Sequence, residues 1–184
     1  PTHGKPLDEI YRYLIKKYLR PGKAPRDSCD AFFRAHLNNG PFLAVHMRGS
    51  DKVFEDQDLA AKNQAYFSAI DSIDSTWPIF LLTDDEQLRT RMTAVYGDRI
   101  VTTSCQRTST STGVHYLPSV ARVRAGLEVM TDTYLALRAS HFIGNRNSNV
   151  SAMIEMLKEW KPGETTLVGR SELMQRNLYI HLRQ

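Results

Sequence analysis

Three short apolar runs interrupt this chain, at residues 42–47 (FLAVHM), 78–82 (PIFLL) and 141–144 (HFIG). Helix-length segments separate them, and each run ends in a polar cluster. Apolar runs this short, without polar alternation, are what strands buried on both faces require. Buried strands alternating with helices build βαβ units and a parallel sheet. The expected fold class is therefore α/β: a Rossmann-like three-layer domain with a mostly parallel sheet. In such sheets ligands sit beyond the carboxyl ends of the strands. Those ends carry RGSDK after Met47, TDD after Leu82 and NRNSN after Gly144.

Periodicity and punctuation place the other elements. Tyr11, Leu14, Ile15, Tyr18 and Leu19 form one apolar stripe, which predicts a helix over 8–19 ending at Arg20-Pro21-Gly22. Arg12, Lys16 and Lys17 lie off that stripe and read as a solvated face. PGKAPRD reads as a linker. Asp27 or Ser28 then caps a helix to 37, which Asn38-Asn39-Gly40 stops. Helices are expected over 59–73 and from the TDD cluster to 96, with a third strand at 99–102. SCQRTSTSTG, at 104–113, reads as a mobile loop. A long helix follows Pro118. Val120, Val123, Leu127, Met130, Tyr134 and Leu137 form its large apolar stripe, while the opposite face carries Ala121, Ala125, Val129, Asp132 and Ala136. That small-residue face suits close approach to a backbone or a ligand. A helix over 148–160, a strand at 166–168 and a C-terminal helix complete the chain. The expectation is one domain over 1–184, with 1–40 a helical segment and 41–184 the core.

Composition narrows the function classes. The chain has 184 residues, 41% hydrophobic and 24% charged, which is globular and excludes disorder and coiled coil. The net charge of +4 suits an anionic small ligand as well as nucleic acid. No apolar run approaches the 18 or so residues of a membrane helix. The start, PTHGKPLDE, shows no signal pattern and no initiator Met, so a piece of a longer chain is expected. Cys29 and Cys105 stand in no metal spacing and are expected to be reduced. There is no GxGxxG, GxxxxGK[ST] or GxSxG, which disfavours classical dinucleotide, P-loop and hydrolase chemistry.

Each polar cluster has a functional and an ordinary reading. Arg48 at a strand end is a fork for two phosphate oxygens, or half of a surface ion pair with Asp51. Ser148 begins a helix where free N–H groups and the dipole favour an anion, with Asn145, Asn147 and Asn149 beside it; ordinary capping needs only one of these residues. Thr83 or Asp84 capping the next helix is preferred to Asp84-Asp85 holding a metal. Asp132 either pairs locally or accepts hydrogen bonds from a base such as guanine. His46 is either a satisfied buried histidine or a ligand contact.

Taken together, these motifs resemble a known family. AVHMRGSDK resembles the VHxRxxDK motif of GDP-fucose-dependent fucosyltransferases, the α1,6-fucosyltransferases and rhizobial nodulation fucosyltransferases. LLTDD resembles their second motif, an apolar strand followed by (A/T)DD. Residues 112–151, from the Thr112-Gly113-Val114-His115 stretch through the Asp132 helix to Asn147-Ser148, resemble the third. The resemblance covers roughly 42–158. It implies the nucleotide-sugar-binding half of a GT-B glycosyltransferase, with a further N-terminal acceptor half as partner. His46 and Asp132 would contact guanine, with His115 from the third motif also at the donor. Arg48 would hold the β-phosphate beside Ser148, Asn147 and Asn149, and Lys52 would lie near the leaving oxygen. Asp51, Asp84 and Asp85 would support the arginine and lysine. The base position four residues beyond the lysine is Asp56, with Glu55 one residue earlier, and the choice stays open. Where the α1,6 branch has two adjacent arginines, this chain has Arg48-Gly49.

The implied chemistry is transfer of fucose from GDP-fucose to a glycan hydroxyl by a metal-independent inverting displacement, with no cofactor. Alternatives are an inactive nucleotide- or sugar-binding module of the same fold, a transferase of another GDP-sugar, and a nucleic-acid binder using the basic first helix. The last of these is disfavoured. The compartment would be cytoplasmic in a bacterium and the Golgi lumen in a eukaryote.

Overall fold

In the computed structural model, residues 4–49, 59–117 and 121–169 are described. Two helices, α1 (Leu7–Tyr18) and α2 (Lys23–His36), precede the central strand β1 (Leu43–His46). Then come α3 (Leu59–Asp71), β2 (Ile79–Leu82), α4 (Glu86–Tyr96) and β3 (Ile100–Val101). The chain returns through α5 (Arg122–Ala136), β4 (His141–Asn145), α6 (Asn149–Leu157) and β5 (Thr165–Val168). The five strands form one sheet in the order β3-β2-β1-β4-β5, and every pair is parallel.

Strand alternation sorts the core into two layers. Phe42, Ala44, Phe80, Leu82 and Phe142 pack with Cys29, Leu135, Ala136 and Ile154 of α2, α5 and α6. Leu43, Val45, Met47, Ile79, Leu81 and Ile143 pack with Tyr66, Ile70, Leu88 and Met92 of α3 and α4. All of these are buried, so β1, β2 and β4 need apolar side chains on both faces. The order reverses between β1 and β4: successive strands are added outward on one side through β2 and on the other through β5. That reversal opens a crevice beyond the strand ends between β1 and β4.

The structure corrects several expectations. PGKAPRD is not a linker: α2 begins at Lys23, with Gly22 at its N-cap and no side-chain cap. Pro25 lies in the first turn, where its missing N–H costs no hydrogen bond. The stripe of α1 is mostly uncovered, since Ile15 is buried while Tyr18 is 67% exposed. Two of the three basic residues off the stripe, Arg12 and Lys16, reach α6 instead, while Lys17 stays exposed. Arg12 donates to the carbonyls of Glu155 (3.0 Å) and Lys158 (3.4 Å) at the end of α6, and Lys16 pairs with Glu159. Cations on last-turn carbonyls satisfy both groups, which leaves Arg12 and Lys16 turned to the protein rather than to a polyanion.

The segment expected to be mobile is stitched down. Thr108 N–H donates to the Asp84 carbonyl, and Glu86 N–H donates to the Thr108 carbonyl, both at 3.0 Å. These backbone bonds carry no side-chain signature, so a Ser/Thr run hides them. Finally, the large stripe of α5 faces outward at Val123 and Leu127, 79% and 46% exposed, while the small-residue face looks into the crevice. No helix among the described residues is long and apolar enough to cross a membrane.

Candidate functional site

His46 ends β1 and follows Phe42 and Ala44 in alternation, so its ring falls on the α5–α6 side of the sheet. Its Nδ1 lies 2.7 Å from Ser151 Oγ, and its carbonyl accepts from the Tyr66 hydroxyl at 2.8 Å. Burial lowers its pKa to about 4, against the pull of Asp84, with Arg48 adding to the lowering. The imidazole is neutral at physiological pH.

Two residues on, Arg48 Nη1 meets Asp84 Oδ2 at 3.1 Å, and Gly49 N–H donates to Asp84 Oδ1 at 3.3 Å. One carboxylate thus fixes both the guanidinium and the backbone beside it. A Cβ on Gly49 would overlap the Asp85 side chain. A side chain at 49 would require Asp85, which caps α4, to move. Asp85, not Thr83 or Asp84, caps α4, accepting from Gln87 N–H (2.7 Å) and Leu88 N–H (3.1 Å). That leaves Asp84 facing the crevice. Among the described residues no group of three or more His, Cys, Asp or Glu could hold a metal ion.

The opposite wall is α5 with the loop before it. Asp132 accepts from Thr103 Oγ1 at 2.7 Å. Burial raises its pKa to about 6, although Thr103, Cys105 and Arg107 favour the carboxylate. Cys105 is a free, half-buried thiol. Burial and the neighbouring Asp132 charge push its pKa up to about 11. One helical turn from Asp132, Glu128 accepts from Gln106 N–H (3.0 Å) and Arg124 Nε (2.8 Å). Burial opposes its ionisation, but these donors hold its pKa below the usual glutamate value.

Val150 of α6 completes the lining, just after the β4–α6 turn. Asn145 N–H donates to Ser151 Oγ at 2.9 Å, and Asn147 N–H donates to Asn145 Oδ1 at 2.8 Å. Ser148 is buried at the N-cap of α6, yet its side chain makes no capping bond. The expected serine cap is therefore absent.

These walls enclose a cleft of about 140 Å³. His46, Arg48, Asp84 and Asp132 line it, from three segments far apart in sequence. Cys105, Gln106 and Glu128 line it too, and sequence reading missed them. Glu128 alone carried a signal, its i, i+4 spacing to Asp132; Cys105 and Gln106 carried none. Asp85, Asn147 and Ser148 do not line it. Asn149 lies across α6 on a separate apolar groove with Tyr18, Met153 and Leu157. His115 sits in a short 3-10 helix, Val114–Tyr116, and its side chain lies outside the described residues. Asp51, Lys52, Glu55 and Asp56 also lie outside the described residues.

No family model matches the chain, and no curated protein matches it. Solved structures do. A NodZ α-1,6-fucosyltransferase co-crystallised with GDP matches with a TM-score of 0.54 and 17% identity, over 79% of this chain and 45% of that one. A NodZ crystal soaked with GDP-fucose matches with a TM-score of 0.53 and 18% identity, over 82% of this chain and 47% of that one. The fucosyltransferase NodZ from Bradyrhizobium matches with a TM-score of 0.52 and 20% identity, over 79% and 44%. This chain spans less than half the length of the solved chains it matches. At this identity the likeness establishes the fold: an α/β domain with an all-parallel sheet, like part of a GT-B fucosyltransferase.

Proposed function

We propose that the cleft holds the guanine base of a GDP-sugar and that the chain is the donor-binding half of a fucosyltransferase-like glycosyltransferase. The observation that carries this reading is the convergence of His46, Arg48 with Asp84, and Asp132 on one cleft at the strand-order reversal. The fold shared with a GDP-bound fucosyltransferase supports it. A cleft of about 140 Å³ is below the ~300 Å³ of small ligand pockets, so it takes one ring system and leaves phosphates and sugar at its mouth. Asp132 as a carboxylate matches two adjacent donors on the base edge, N1–H and the 2-amino group. Arg48, held by Asp84, faces the diphosphate, and the N-terminus of α6 adds partial positive charge.

In the transfer step the acceptor hydroxyl loses its proton to a carboxylate, Glu55 or Asp56, as its oxygen bonds the anomeric carbon of the sugar. The bond from that carbon to the β-phosphate oxygen breaks, and the electron pair leaves with GDP. Arg48 and Lys52 stabilise the developing phosphate charge without a metal. Glycan acceptors and a further acceptor half are the implied partners.

Cys105 provides a built-in test. It lines the cleft, whereas Cys29 is buried in the core. Saturating GDP is expected to slow alkylation of Cys105 at pH 9 by about tenfold or more, read site by site by mass spectrometry. ADP at the same concentration should leave the rate near that of the free protein. Equal alkylation with and without GDP contradicts base binding in this cleft.

A further inference from the structure

Ser151 is 1% exposed, and its hydroxyl group stands between two partners. Its oxygen accepts from Asn145 N–H at 2.9 Å and lies 2.7 Å from Nδ1 of His46. A hydroxyl carries one proton, and buried donors are satisfied in folded proteins. His46 Nδ1 is the one acceptor within reach of that proton among the described residues. If Nδ1 carried its own hydrogen, Ser151 Oγ would accept from both nitrogens and the serine proton would be left with no acceptor. The bond therefore runs from Ser151 O–H to an unprotonated Nδ1, which puts the imidazole hydrogen on Nε2.

Gly144 makes this contact possible. A Cβ there would lie 2.8 Å from Ser151 Oγ and 2.7 Å from the Phe142 ring. Residue 144 follows Ile143, which pairs with Val45 across β1 and β4, so it stands beside His46 in the sheet. Only glycine leaves room for a hydroxyl from α6 to reach across β4 to the end of β1.

From this geometry we infer that Ser151 is a positioning residue that locks His46 as an Nε2–H donor into the cleft, and so requires an acceptor atom on the bound base. The cleft then presents a donor at His46 and a carboxylate acceptor at Asp132. The consequence for the base rests on the nucleotide reading given above, whereas the tautomer is a property of the free protein.

The test is the ¹⁵N spectrum of the His46 ring in the whole chain, assigned with His46→Gln, together with GDP titration of Ser151→Ala and Ser151→Thr. The wild type is expected to show a pyridine-like Nδ1 and a protonated Nε2 between pH 6 and 9. Ser151→Ala should give a mixed tautomer signal and a GDP dissociation constant raised about tenfold, the worth of one buried hydrogen bond. Ser151→Thr, which keeps the hydroxyl, should restore the single tautomer. A wild-type ring protonated at Nδ1 overturns the inference whatever the variants do. So does a Ser151→Ala protein that keeps the Nε2–H form. If the wild type shows the Nε2–H form but binds no GDP, the positioning role stands and the nucleotide reading fails.

Discussion

Arg48→Ala is expected to weaken GDP binding by about 2–5 kcal/mol, the usual cost of truncating one partner of a desolvated charge pair. The size of the effect follows from Asp84. Its carboxylate lies 3.1 Å from the guanidinium and also accepts Gly49 N–H. On the proposed reading, removing the arginine deletes the phosphate contact and leaves a carboxylate beside the cleft that would repel the diphosphate. Calorimetry at two salt concentrations measures it. The loss should be smaller at high salt, because a charge at a partly open site is screened. An unchanged GDP affinity would remove Arg48 from the binding site.

Asp132→Asn is expected to move stability and binding in opposite directions. The folded pKa of Asp132, about 6, lies above its ordinary value of 3.8 because the carboxylate is buried. The folded protein therefore takes up this proton more readily than the unfolded chain. The resulting penalty is complete above about pH 6 and gone below about pH 4. The gap between the two values corresponds to on the order of 3 kcal/mol. Asparagine keeps an acceptor for Thr103 Oγ1 without the charge. At pH 8 the variant should be more stable by up to that amount, and the two proteins should converge near pH 4. GDP affinity at pH 8 should fall on the order of 100-fold, because two hydrogen bonds lose their charge. Wild-type affinity should also decline as pH drops through 6. Denaturant melts at pH 8 and pH 4 decide the first part. A variant less stable than wild type at pH 8 would show that Asp132 is held by partners strong enough to outweigh its burial.

Part of the candidate site was legible in the sequence. A buried carboxylate on a face of small residues, an arginine just past a buried strand and a polar run after a third strand all break local patterns. Such breaks mark sites. Strand identity and the parallel sheet were legible for the same reason in reverse, since apolar runs with no polar alternation have few other uses. What escaped was carried by backbone or by tertiary contact. The Thr108 bridge to Asp84 uses main-chain groups, so the Ser/Thr segment looked mobile. Capping fell to Asp85 rather than its neighbours because Gly49 and Arg48 draw Asp84 toward the strand end. Arg12 looked solvent-facing because the carbonyls it meets are more than 140 residues away in sequence. Ser151 carries no local sequence signal, because its bond to His46 runs across β4 past Gly144.

The most direct measurement is calorimetric titration of the chain with GDP, ADP and UDP, each with and without EDTA. Binding of GDP that is at least tenfold tighter than the other two and unchanged by EDTA is the predicted result. Equal affinity for the three nucleotides, or GDP binding that disappears with EDTA, would contradict a guanine-reading, metal-independent donor site.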